Sequence, residues 1–406
     1  MLVQHMFKYR LYPSGPQQER IINSFQICKA IYNDLLALSI DAYTFGNVSL
    51  SGFDFNRYLT GKYPEIHSQV KQNVSDRVHK AFDNFFRRIK DTSCKEKGYP
   101  RFKSRVHSIT FPQSGFKLLS YKRLRLSKIG NLPIVLHRIP QGKIKTMTIK
   151  QNKVGQWFAI FSCELPDRTV IHPSKDTIGI DVGIENFVTL SNGEVIANPR
   201  FLIKSERRLQ FMQRGLSRKI KGSSNRRKAR FRLAKQYLKV TNQRTNFLHK
   251  CSRNLALRFS TIAVEDLNIK NMMHDSYFAK SIGDAGWKVF FTMLSYKAVM
   301  CGGQVLKNPQ TRGSSHRCST CGFYVEDMPL SKRIFTCPQC LKTCHRDLNA
   351  SLNHIKDTVG TDCAKPNACE HTVRPTSLAV VDEAGTITTK PSTSSVVGSP
   401  FLKSTI

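Results

Sequence analysis

Apolar and polar residues alternate along MFKYRLYP (residues 6–13), as in a strand with one buried face, and Pro13 closes the run. From residue 14 the period becomes helical. Ile21, Phe25, Tyr32, Leu35 and Leu36 can share one face, and Ser14 with Gln17 has capping-box spacing, so a helix is predicted to about residue 43. A second helix is predicted over residues 64–90. Its apolar stripe is Val70, Val74, Val78, Phe82, Phe85 and Ile89, and both stripes read as core. Gly98 and Pro100 in KGYPRFKSR end the helical pattern. The runs RLRLSKI, LPIVLHRI, IKTMTIK and WFAIFSCEL then make a β-rich module up to about residue 166. Because the helices interrupt this module after its first strand, residues 1–13 are expected to join its sheet.

The pattern changes again at residue 177. TIGIDVGIENFVTLSNGEVIA predicts two or three strands, with Asn192-Gly193 suited to a tight hairpin. Residues 205–260 read as basic helix, STIAVEDL as a strand, and WKVFFTMLSYKAVMCGG as a helix. A cysteine-rich segment and a short helix after Asp347 follow. From residue 358 the chain is rich in Ser, Thr, Val and Pro and is expected to be a disordered tail. No internal repeat is visible.

Charge narrows the partners. The 406-residue chain carries a formal net charge of +36, which would repel itself unless an anionic polymer neutralised it. Nucleic acid is the expected partner, since each phosphate contact releases a condensed counterion. The MLVQHMFKYRLYP start has no long apolar core, and no apolar run approaches the ~20 residues of a spanning helix. A cytoplasmic location is therefore expected, nucleoid-associated if the host is prokaryotic, with no membrane partner. In a reducing compartment the twelve cysteines do not suggest a disulfide framework. Cys28, Cys94, Cys163, Cys251 and Cys301 are scattered and read as buried small hydrophobes.

Three acids stand out. In TIGIDVG, Ile178, Ile180 and Val182 point one way, while Gly179, Asp181 and Gly183 point the other. The acidic face is thus cleared of bulk beside Asp181, room that a metal ion bridging to a phosphodiester would need. In TIAVEDL, Ile262 and Val264 face the core, and Thr261, Ala263 and Glu265 line the other face. Asp266 points away and is set aside. Leu348, Leu352 and Ile355 form the stripe of the last helix, which places Asp347 beside Ala350 and Ser351. A lone acid at a strand end usually satisfies a turn. Three on rigid elements suit a site for two Mg²⁺ ions that hydrolyse a phosphodiester. Asp181, at a strand centre, is the expected bridging ligand, and Glu265 and Asp347 would each complete one ion's shell.

CSTCGFYVEDMPLSKRIFTCPQC pairs two C-x2-C knuckles across a fifteen-residue spacer. Cys318, Cys321, Cys337 and Cys340 fit one tetrahedral Zn²⁺. Gly322 and Pro338 suit the knuckle turns. Four thiolates leave no open position, so this zinc is structural. His316, Cys344 and His345 stand nearby as alternative ligands. In the basic stretch, Phe231, Leu233, Tyr237, Leu238, Phe247 and Leu248 interleave with Arg and Lys. Against a merely solvated face, the density of charge favours phosphate contacts by Lys219, Arg226, Arg227, Lys228 and Arg230. Arg101 and Lys103 are further candidates.

IGIDVGIENFVTLSNG, AVEDLNIKNM, SIGDAGW, CSTCG…CPQC and HRDLNASLN, in this order, resemble the TnpB (OrfB) family of transposon-encoded proteins, related to type V CRISPR effector nucleases. GYPRFKSR is similar to a further signature, and the resemblance spans about residues 1–356. It implies an α/β and β multidomain fold, in which a RuvC-like (RNase H-type) nuclease (171–317 and 341–357) is interrupted by a zinc ribbon (318–340). A β-barrel-like wedge module (1–13 and 104–170) with a helical recognition insertion (14–103) would precede it. Asp181, Glu265 and Asp347 match the first, second and third catalytic acids. The resemblance further implies RNA-guided cleavage of double-stranded DNA beside a short motif, with a guide RNA from the transposon end. His345, next to Cys344, stands where the family often has an acidic residue. Two other readings share the fold: a guide-directed DNA binder or repressor that does not cut, and a transposase that joins DNA ends without RNA.

Overall fold

A computed structural model describes residues 3–91, 98–165, 170–308, 313–329 and 331–359. The expectations for Cys94, and for the tail beyond residue 359, lie outside the described residues. The chain divides into two compact units, Met1–Thr169 with Ser205–Thr241, and Val170–Lys204 with Asn242–Ile406.

The first unit opens with β1 (Val3–Leu11), α1 (Gly15–Gly46), α2 (Gly52–Tyr58) and α3 (Ser68–Lys90). Six strands follow: β2 (Ser108–Pro112), β3 (Phe116–Ser120), β4 (Arg123–Leu126), β5 (Gly130–Val135), β6 (Lys143–Gln151) and β7 (Trp157–Leu165). All seven strands form one antiparallel sheet in the order β2-β6-β7-β1-β5-β4-β3, an open half-barrel. The first strand does join the later module: β1 lies between β7 and β5, with Phe7 opposite Phe161. Its alternation puts Phe7, Tyr9 and Leu11 in the core. On the other face Lys8 and Arg10 lie against the Phe158 ring. The N–H of Ser14 donates to Gln17 Oε1 at 3.0 Å, as the capping spacing predicts. The α3 stripe is core for only part of its length. Val70, Val74 and Val78 are buried, but Ile89 is 42% exposed, and Phe85 packs edge-on to Tyr99 instead. The helix outruns the sheet that covers its first turns.

The second unit begins with β8 (Thr177–Val182), β9 (Asn186–Leu190) and β10 (Val195–Ala197). Two basic helices follow, α4 (Phe201–Ser217) and α5 (Ser224–Arg258), and the boundaries between the units fall within them. Then come β11 (Thr261–Glu265), α6 (Ile269–Met272), α7 (Ser276–Ala285), α8 (Trp287–Met300), β12 (Gln304–Asn308), β13 (Ile334–Thr336), β14 (Thr343–His345) and α9 (Arg346–Val359). The sheet order is β10-β9-β8-β11-β12, with β8, β11 and β12 parallel and the β8–β9–β10 meander antiparallel. Gly193, at φ +86°, completes the turn before β10. Ile178, Ile180, Ile262 and Val264 pack into a core with Leu248, Leu255, Phe290 and Leu294 from α5 and α8. The other face of the sheet carries α9.

That face corrects one expectation. A Cβ on Gly179 would lie 1.9 Å from the Ser351 carbonyl oxygen and 2.9 Å from Ile355 Cγ1. The missing side chain at 179 admits the backbone of α9 rather than leaving room for a ligand. The scattered cysteines divide too: Cys28, Cys163 and Cys251 are buried, whereas Cys301 is only half-buried.

Candidate functional site

The polar site lies where three parallel strands end. Val264 of β11 is in register with Ile180 of β8, and Asp181 and Glu265 are each the next residue. Glu265 in turn is in register with Asn308 of β12. Neighbours in register on parallel strands point to the same face, so Asp181, Glu265 and Asn308 line up under α9. Asp181 is the penultimate residue of β8, not its centre as expected, so the carboxylates sit at the carboxyl edge of the sheet. Open α/β sheets bind ligands at that edge.

Asp181, Glu265 and His354 each offer one ligand atom, and these atoms lie within 4.8 Å of one another. Burial disfavours the charged form of Glu265, and the Asp181 charge adds to this, so its pKa is pushed up to about 7 although His354 opposes the shift. Asp347, on the first turn of α9, falls outside that group of three. Its carboxyl is also raised, by burial first and by Asp181 second, against the pull of His345, Arg333 and Arg346. Asp181 is therefore the common neighbour whose charge both other acids feel. Asp266 forms an exposed ion pair with Lys307 at 2.6 Å, away from this group.

His354 went unnoticed in the sequence. It is fully buried, and its Nε2 stands 3.8 Å from Asp181 Oδ1. The signal was indirect: LNHIK reads as ordinary amphipathic helix, yet α9 is buried on nearly every side from Arg346 to Ile355. A polar residue on such a helix must find a partner or pay for its desolvation.

The four knuckle cysteines converge. Their sulfur atoms lie within 4.8 Å of one another, with Cys318 and Cys340 3.6 Å apart and Cys321 and Cys337 3.5 Å apart. A tetrahedron with Zn–S bonds of about 2.3 Å has edges of about 3.8 Å, so the cluster could hold zinc. Burial opposes ionisation of Cys318, but the N–H groups of Cys321 and Thr320 and the neighbouring thiols outweigh it, bringing its pKa down to about 6. At Cys321 the Phe323 N–H favours the thiolate, but burial and the other three thiols push it up to about 12. A crowd of thiols cannot all ionise without a cation among them. Gly322 takes φ +81° after the first knuckle, and after the second Leu341 takes the same left-handed turn at φ +58°. His316 is spent on the Val325 carbonyl, with Nδ1 3.0 Å from it.

The knuckles are joined to α9. Asn349 accepts from the Ser319 N–H at 2.8 Å and donates to the Arg317 carbonyl at 2.7 Å. Asn353, one turn on, donates to the carbonyls of Ser314 and Arg317. Both amides are buried, so the first knuckle is bound to the helix that carries Asp347.

The basic candidates behave differently from one another. Arg226 is turned inward and donates to the carbonyls of Leu216 and Lys219 at 3.0 and 2.6 Å, closing the turn between α4 and α5. Arg227, Lys228 and Arg230 line a surface hollow of about 430 Å³ with Lys153, Ser224 and the half-exposed ring of Phe231. Lys219 and Arg101 are exposed. Lys103 is exposed too, while its backbone exchanges hydrogen bonds with the Asn33 side chain.

Three family models match the chain. Residues 160–275 match an OrfB (IS605-type) model described as "Probable transposase", and residues 287–354 match "Cas12f1-like, TNB domain". Residues 1–47 match a model described as a helix-turn-helix domain, although here they form one strand and one long helix. A Streptomyces pristinaespiralis protein named "Putative RNA-guided DNA endonuclease" is 32% identical, with 92% of each chain covered. InsQ of Escherichia coli strain K12, which carries the same designation, is 30% identical over 86% of this chain and 90% of its own. Among solved structures, the mini-RNA-guided endonuclease CRISPR-Cas_phi3 aligns with a TM-score of 0.47 at 9% identity over 90% and 94% of the two chains, a likeness too distant to carry a functional argument. On the two curated relatives, each matched over most of its length, the chain belongs to the TnpB (OrfB) family of transposon-encoded proteins.

Proposed function

We propose that the chain is an RNA-guided DNA endonuclease that hydrolyses target double-stranded DNA beside a short motif, with a guide RNA from the transposon end. The observation that supports this most is the meeting of Asp181 and Glu265 at the carboxyl ends of neighbouring strands, with Asp347 close enough to feel the Asp181 charge. The designation of both relatives points the same way. In this reading the five-stranded sheet with α9 is a RuvC-like (RNase H-type) core, Cys318–Cys340 a zinc ribbon within it, and the half-barrel a wedge module.

The donor set fits hard divalent cations. Burial and the Asp181 charge both disfavour the charged forms of Glu265 and Asp347, a penalty that a divalent cation among the three would offset. Two Mg²⁺ ions, when bound, supply activation of water and neutralisation of charge at the leaving 3′ oxygen. Asp181, the shared neighbour, would be the ligand common to both, with Glu265 on one side and Asp347 on the other. Glu265, whose pKa is raised to about 7, would have to give up its proton to serve as a ligand. The four cysteines would hold one structural Zn²⁺. The buried residues beside them are few: Met328 and Phe335. So small a core needs a metal to fold. Arg227, Lys228 and Arg230 would contact phosphates, setting affinity and not sequence choice.

The test is a requirement for RNA. Protein purified with its bound RNA should cut a plasmid library carrying matched targets, and digestion of that RNA should abolish cutting. Cutting that survives complete removal of RNA would overturn the proposal in favour of a self-sufficient transposase.

A further inference from the structure

His354 lies within the second unit, buried against the acids. Its Nε2 has no hydrogen-bond partner among the described residues and faces Asp181 Oδ1 at 3.8 Å. Distance alone would allow His354 to be a cation ligand beside Asp181 and Glu265. The groups behind the ring decide otherwise.

Arg317 grips both carboxylate oxygens of Asp357. The Asn308 side-chain nitrogen donates to Asp357 Oδ2 at 2.9 Å and stands 3.2 Å from His354 Nδ1. Turned over, the amide would set its own oxygen against a carboxylate oxygen, so Asp357 fixes which way Asn308 faces. An N–H of Asn308 therefore points at His354 Nδ1, which must accept it. A neutral imidazole carries one ring proton, and here it belongs on Nε2. A metal-bound histidine needs the reverse: a bare Nε2, with the other N–H given to an acceptor. A donor occupies the place where that acceptor would stand.

We infer that His354 is a positioning residue, locked by Arg317, Asp357 and Asn308 in the tautomer that presents an Nε2–H to Asp181, and that it does not ligate the cation. Its positioning role rests on the proposed reading of Asp181 and Glu265 as cation ligands; its tautomer does not. The buried N–H faces the Asp181 carboxylate and orients it. Partners of this kind behind a metal ligand typically contribute about 10–100-fold in metal affinity.

The test uses the full chain and three readouts. In ¹⁵N-histidine-labelled protein without added divalent cation, the His354 signals, identified by their loss in His354→Gln, should show a proton on Nε2 and a bare Nδ1. The opposite tautomer overturns the inference. With Mn²⁺ as probe, electron spin echo spectroscopy of the site that Asp181→Ala abolishes should show no directly bonded nitrogen; a directly bonded ¹⁴N overturns it without any His354 variant having to fold. Mn²⁺ affinity should fall about 10–100-fold in His354→Leu. It should recover in His354→Gln, whose amide can present an N–H to Asp181. Equal loss in both variants would refute the positioning role. If no Mn²⁺ binds at Asp181 in the wild type, the cation-site reading fails, and the tautomer signal separates that failure from a misplaced ring proton.

Discussion

Replacing Glu265 by glutamine should stabilise the Mg²⁺-free protein, and the gain should grow with pH. The folded Glu265 holds its proton up to about pH 7, whereas its ordinary value is 4.5. Between those values the folded state binds more protons than the unfolded chain, so wild-type stability falls as pH rises through this window and levels off above it. Glutamine does not ionise and escapes the loss. At about 1.4 kcal/mol per pH unit the advantage of Glu265→Gln should approach about 3 kcal/mol at pH 8 and shrink below about 1 kcal/mol at pH 5. The chain has two tryptophans, and Trp287 is buried in the second unit. Urea unfolding followed by Trp287 fluorescence in a Trp157→Phe background, in Mg²⁺-free buffer with zinc retained, reads the difference at both pH values. Added Mg²⁺ should then stabilise the glutamate protein more than the variant, because a ligand stabilises the state that binds it. Equal stability at pH 8, or a difference independent of pH, would refute the burial argument.

Gly179→Ala should displace α9, since the added Cβ would sit 1.9 Å from a backbone oxygen. We expect a loss of roughly 3 kcal/mol or more and no cleavage, measured by thermal melting and plasmid cutting. Cys337→Ser with Cys340→Ser should bind no zinc and cut poorly although the acids are intact, and metal analysis of the wild type should find about one Zn²⁺ per chain. Changing Arg227, Lys228 and Arg230 to Gln together should flatten the dependence of RNA affinity on salt, by about 0.7 in log–log slope for each single-strand phosphate no longer neutralised. Arg226→Gln should instead cost on the order of 1–3 kcal/mol of stability, seen in denaturant titration, because its donors close a turn.

Apolar period made the scaffold legible. The alternation of Phe7, Tyr9 and Leu11 placed β1 in a sheet it reaches only after three helices. Ile178, Ile180, Ile262 and Val264 gave the core-facing sides of β8 and β11, and so the opposite face that carries Asp181 and Glu265. Knuckle spacing gave the cysteine cluster. What failed was whatever depends on another element's approach. Gly179 looked like space for a ligand because a sequence does not show which helix crosses that face. Asn349, Asn353 and His354 lie outside the apolar stripe of Leu348, Leu352 and Ile355, yet α9 is covered on those sides too. Asn349 and Asn353 are spent on the first knuckle, and His354 on the acids. Arg226 was indistinguishable from its neighbours until the turn after Ser217 brought two carbonyls to it. The end of the α3 stripe shows the converse, since apolar period alone does not say where a covering layer stops.

The most direct test is a comparison of wild type and Asp181→Ala, each purified with its guide RNA, on linear DNA carrying a matched target in the presence of excess Mg²⁺. RNA binding is followed in parallel. The account predicts site-specific cutting by the wild type that ceases without Mg²⁺, and RNA-bound Asp181→Ala that does not cut. Cutting by Asp181→Ala near the wild-type rate would contradict it.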